Sequence, residues 1–131
     1  MGGKENIRFY LALLLYLFAI HSFTAGLLLI VLPDDGLAYF GFTVKNRFFT
    51  TQSGVFHIVM AIGYALAGIF PQQSKLLIYF IVLAKLLAAV FLFTYYFFID
   101  MIPLVLIFGI ADLLMAIALW IIYLKYKRIQ K

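Results

Sequence analysis

The sequence predicts an all-α protein: four membrane-spanning helices in an up-down-up-down bundle, forming a single integral membrane domain over residues 1–131. Three observations carry this. Hydrophobic residues make up 67% of the chain and mean hydropathy is +1.14, whereas soluble domains are only ~45–50% apolar. Four segments each supply the ~20 apolar residues that a spanning helix needs. Turn-forming stretches separate those segments, and open strands cannot satisfy their backbone in lipid, so the spans are helical.

The first span runs from about Phe9 to Leu32 without a charge. It is longer than the ~7–15-residue apolar run of a secretory signal, so it reads as a retained helix. "PDDG" (33–36) ends it. The next connection, Pro33 to Thr51, is the one long loop, and "LAYFGFTVKNRFF" gives it an aromatic, weakly basic character. It is expected to be an interfacial segment, since aromatic rings sit well at headgroup level; a lid over a cavity is the alternative. The second span runs from about Gln52 to Phe70 and ends at "PQQSK" (71–75). The third runs from about Leu76 to Ile99 and ends at "DMIP" (100–103). The fourth runs from about Ile102 to Leu124.

Charge sets the orientation. Lys4, Arg8, Lys75, Lys125, Lys127, Arg128 and Lys131 all fall on one side of a four-span chain. The other side holds Lys45 and Arg47, offset by Asp34, Asp35 and Asp100. The positive-inside rule then makes both termini cytoplasmic. The net charge of +5 sits mostly near the ends and favours contact with lipid headgroups. No aromatic–basic pattern points to nucleic acid. Cysteine is absent, which excludes disulfides, thiolate metal sites and cysteine nucleophiles. Phosphate loops, H-E-x-x-H and G-x-S-x-G are also absent, so no enzyme class is indicated.

Each span carries one ionisable group: His21, His57, Lys85 and Asp112. At a rise of 1.5 Å per residue they lie ~18, ~20, ~14 and ~17 Å from the cytoplasmic edge. The hydrocarbon core is ~30 Å thick, so all four fall in one layer near its middle. A lone charge there costs at least ~2.5–3.5 kcal/mol. The short turn between the third and fourth spans makes them antiparallel neighbours, so a Lys85–Asp112 ion pair is expected; a separation beyond about 6 Å would refute it, being out of ion-pair reach. Small residues mark the inward faces: Gly109 and Ala116 beside Asp112, Ala88 and Ala89 beside Lys85, and Gly54, Ala61, Ala65 and Gly68 beside His57. Such faces let membrane helices approach closely. Thr24 and Ala25 share the face of His21, and Thr24 is its candidate hydrogen-bond partner.

The layer admits several roles. It can be a satisfied polar core that holds the helices in register. It can be the head of a pocket for a quinone, lipid or similar amphiphile, with Tyr64, Tyr95, Tyr96 and Thr24 as further candidates. His21 and His57 also suggest bis-histidine ligation of haem b, a lesser alternative that needs a gap where small residues imply close packing. The sequence requires no cofactor and offers no other metal site. Ion translocation by one pair in four spans would need a homo-oligomer, and no inverted repeat is evident.

The chain resembles the DoxX-like superfamily of small four-helix bacterial membrane proteins. The resemblance rests on "LLLIVLPDDGLAYFGF" after the first span, "AKLLAAV" in the third and "GIADLLMAIALW" in the fourth, with matching length and order over most of the chain. It implies a bacterial inner membrane, an accessory or quinone-linked role, and a polar pair of the last two helices at Lys85 and Asp112. The histidines do not carry over from that family. A structural subunit of a larger membrane complex, with no site of its own, is the alternative function.

Overall fold

The computed structural model describes residues 2–130. Lys131 lies outside these, and nothing is described of the Lys4 side chain. Four long helices cross the molecule: α1 (Gly2–Val31), α3 (Arg47–Ile69), α4 (Lys75–Phe98) and α5 (Pro103–Gln130). A short helix, α2 (Asp34–Tyr39), follows α1. Each long helix contains a stretch long and apolar enough to cross a bilayer, and the described residues contain no strand. The protein is a multi-pass integral membrane protein built as a four-helix bundle.

Local chemistry sets the helix ends. α3 starts at Arg47, five residues before the Gln52 expected from hydropathy, because the Asn46 side chain caps it by accepting from Phe48 N at 3.0 Å. Such a cap satisfies a first-turn amide that has no partner within the helix. α5 opens with Pro103 in its first turn, where no amide donor is needed, and runs past Leu124 to Gln130. Hydropathy missed this last stretch because the tail is basic, yet Tyr126 within it is buried.

The loop after α1 is folded. Asp34 and Asp35 sit in the first turn of α2, where carboxylates favour the positive helix end. Gly41 ends it with φ +92°. The Gly41 amide donates to Ala38 O and the Phe42 amide to Leu37 O, a paired termination that glycine suits best. Leu37 is buried, and a Cβ at Gly41 would meet Ile102 at 3.0 Å. The segment therefore packs across the end of the bundle. Arg47 fastens it, pairing with Asp34 at 3.0 Å and donating to Ile30 O at 2.7 Å.

The helices associate as two close pairs, α1 with α3 and α4 with α5. α1 and α5 join the pairs, while α3 and α4 barely touch. α1 and α3 meet backbone to backbone at Gly26 and Gly54. A Cβ on Gly26 would fall 2.6 Å from Gly54 O, and one on Gly54 would fall 2.7 Å from Gly26 O. The large-side-chain core includes Leu11, Leu15, Tyr64, Ile81, Leu119 and Tyr123. All of these belong to the half of the bundle that carries the α1 start, the α3–α4 turn and the α5 end.

Candidate functional site

Lys85 reaches every other long helix. The four-residue turn between α4 and α5 folds them back antiparallel, bringing Lys85 and Asp112 to one level. Lys85 Nζ donates to Asp112 Oδ1 at 2.5 Å. Their side chains are 7% and 13% exposed, so neither charge has water to fall back on. Nζ also lies 6.0 Å from the Phe18 ring centroid on α1 and 5.6 Å from that of Tyr64 on α3. These distances are within the ~6 Å over which a ring face attracts a cation. The two rings meet edge to face at 6.0 Å. Among the described residues no buried side-chain polar atom lacks a partner.

The histidines take other partners. His21 is half-buried and meets Phe108 of α5 edge to face at 6.3 Å. His57 is tied to α1 through Ser22, whose hydroxyl donates to His57 O at 2.8 Å and lies 3.3 Å from Nδ1. A serine has one proton to give. With that proton on the carbonyl, the ring contact calls for Nδ1–H to donate, and in the neutral tautomer that does so Nε2 is an acceptor.

Ser22 was missed from the sequence. It is 2% exposed, whereas Thr24, the hydroxyl chosen there, is exposed. The signal was the buried stripe Leu11, Leu15, Phe18, Ser22 and Gly26, spaced by three and four residues as one helix face requires.

His57 occupies an unusual position. By helical spacing it shares a face of α3 with Gly54, Ala61, Tyr64 and Gly68, all of which are buried, yet His57 is exposed. α4 repeats the pattern. Ile78, Ile81, Lys85 and Ala89 are buried, and the same face continues to half-buried Leu92 and Tyr96. Hence the core of large side chains ends near Tyr64 and Lys85, and α3 and α4 make little contact with each other.

The other pocket candidates fall in different settings. Tyr64 belongs to the packed core, 3% exposed. Tyr95 is half-buried and packs on Phe91. The bis-histidine haem alternative does not fit. A macrocycle between His21 and His57 would require α1 and α3 to part where Gly26 and Gly54 bring them backbone to backbone. No group of three or more metal-ligating side chains occurs among the described residues.

Two cavities lie elsewhere, at the end that carries the termini. One, of about 230 Å³, is bordered by Gln72, Lys75, Tyr126, Lys127 and Gln130. Its neighbour, of about 530 Å³, is bordered by Glu5, Arg8, Gln72, Tyr126 and Gln130. Comparison with family models, curated proteins and solved structures finds no match to this chain.

Proposed function

We propose that the α3–α4 seam holds the head of a small amphiphile, such as a quinone or a lipid, that enters sideways from the bilayer. The observation that carries this reading is His57: a polar side chain on the core face of α3 that is nevertheless exposed. In lipid such a group is costly without a partner. A head group with a donor and an acceptor suits the seam, since His57 Nε2 accepts and the Tyr96 hydroxyl can donate. Apolar walls with few polar groups are the usual composition of such sites. Tyr95 and Thr24 are peripheral to this reading, and Tyr64 belongs to the packed core.

The resemblance to the DoxX-like superfamily supports the same reading and a bacterial inner membrane. The positive-inside bias supports cytoplasmic termini, and reporter fusions at Met1 and Lys131 should both report that side.

Native mass spectrometry after purification in mild detergent tests the site. A non-covalent adduct of quinone or lipid mass is expected, extractable into organic solvent. His57→Leu should weaken its retention about five- to tenfold, the worth of one hydrogen bond. That variant keeps the fold, because Ser22 donates to the His57 backbone carbonyl. An adduct retained equally by wild type and His57→Leu refutes the site. A wild-type protein that arrives empty but bound to a second membrane polypeptide supports the alternative, a structural subunit whose partner fills the seam.

A further inference from the structure

The end of the bundle that carries the termini presents a second, chemically different site. We infer that the 230 Å³ cavity between the α3–α4 turn and the end of α5 binds the phosphate of an anionic phospholipid headgroup.

Four features converge on that cavity. Lys75 and Lys127 both line it, and among its described lining residues there is no acid. Gln72 and Gln130 add amide donors, and Gln130 Nε2 already donates to the buried Tyr126 hydroxyl at 2.6 Å. That bond fixes the side chain at the cavity wall. The start of α4 supplies a fourth feature. Ser74 would ordinarily cap it, but its hydroxyl donates back to Phe70 O at 2.7 Å, and no side chain caps the helix. Lys75, the first residue of α4, lines the cavity, and its amide has no partner within the helix.

A phosphate monoanion could come from a lipid or from a free phosphate ester. The wall decides for a lipid. The adjoining 530 Å³ cleft shares Gln72, Tyr126 and Gln130 with the first and continues onto Ile7 and Ile129. This gives a polar head site with an apolar extension. In that second cleft Arg8 is accompanied by Glu5, so the uncompensated cations are Lys75 and Lys127. Basic pockets between spanning helices at a membrane surface are suited to such headgroups.

The test uses the full chain in detergent, with thermal unfolding followed on titration with phosphatidylglycerol, phosphatidylcholine or inorganic phosphate. Phosphatidylglycerol should raise the unfolding temperature and phosphatidylcholine should not. The double variant Lys75→Gln/Lys127→Gln should weaken the phosphatidylglycerol response about 25-fold, at about fivefold per charge near the surface. Both lysines are exposed, so the substitutions leave the core alone. Lys125→Gln/Arg128→Gln removes two other exposed tail cations that do not line the cavity, and should leave the response intact. Equal weakening in the two double variants would mean diffuse attraction to the surface and overturn the site. Protection by inorganic phosphate as strong as that by phosphatidylglycerol would overturn the lipid assignment.

Discussion

Lys85 is the residue on which the bundle turns. One ammonium meets a carboxylate on α5, a phenyl ring on α1 and a phenol ring on α3. Removing the carboxylate leaves a buried cation with only ring faces for company. Asp112→Asn should therefore destabilise the fold by about 3–5 kcal/mol, as loss of one partner of a buried pair does. Unfolding in mixed micelles by denaturing detergent measures this. The joint change Lys85→Met/Asp112→Leu removes both charges and should restore most of the loss, since apolar replacement of a buried pair is often neutral. If the double variant is as unstable as Asp112→Asn, the pair does more than cancel charge. Lys85 and Asp112 were legible because two facts sufficed: equal depth and a turn too short to separate their helices. Ser22 was legible only through its spacing from Leu11, Leu15 and Phe18. A serine in an apolar helix carries no charge cost, so nothing in composition flags it, and its partner is a backbone carbonyl that the sequence does not display.

At the scale of the helix, the glycines separate by what surrounds them. Gly26 and Gly54 let α1 and α3 touch backbone to backbone, while Gly63 on α3 has open space where a Cβ would go. Gly26→Val should force the helices apart and cost about 1–3 kcal/mol, the range of overpacking in a close-packed interior. Gly63→Ala should be neutral or stabilising by about 0.5–1 kcal/mol, because alanine suits a helix interior better. The same micelle unfolding assay reads both, and similar effects from the two substitutions would show that α1 and α3 do not depend on this contact. Gly54 belonged to a small-residue stripe read from the sequence, whereas the stripe Ala19, Ser22 and Gly26 on α1 was overlooked beside Leu27, Leu28 and Leu29. Helix starts show the same contrast. Hydropathy placed the apolar part of α3 well but missed its first turn, because Asn46 and Arg47 act through hydrogen bonding and not through apolarity.

Across the whole molecule the two halves differ. Near the termini, large side chains such as Leu15, Ile81 and Leu119 fill the centre and are fully buried. Beyond Lys85 the buried positions between the helices include the small or polar Ser22, Gly26, Gly54, Ala89 and Gly109, and large buried residues return only at the far end with Leu37, Ile102 and Val105. Small residues let α1 approach α3 and α4 approach α5, while α3 and α4 barely touch. The four-span architecture was legible from hydropathy alone. This asymmetry was not, because it depends on which pairs of helices close and not on how apolar each one is. It has a direct chemical consequence. The chain lacks cysteine, so a single introduced thiol is the only one present. His57→Cys should react faster with a small membrane-permeant maleimide than Ala61→Cys, which is one turn along the same face and 5% exposed. Tyr96→Cys should react faster than Ala89→Cys for the same reason on α4. Mass spectrometry of the adducts over time reads all four rates in one experiment. Equal rates at His57→Cys and Ala61→Cys would mean that the seam is closed in the bilayer. Slowing of His57→Cys by added quinone or lipid, with Ala61→Cys unchanged, would place the amphiphile in the seam itself.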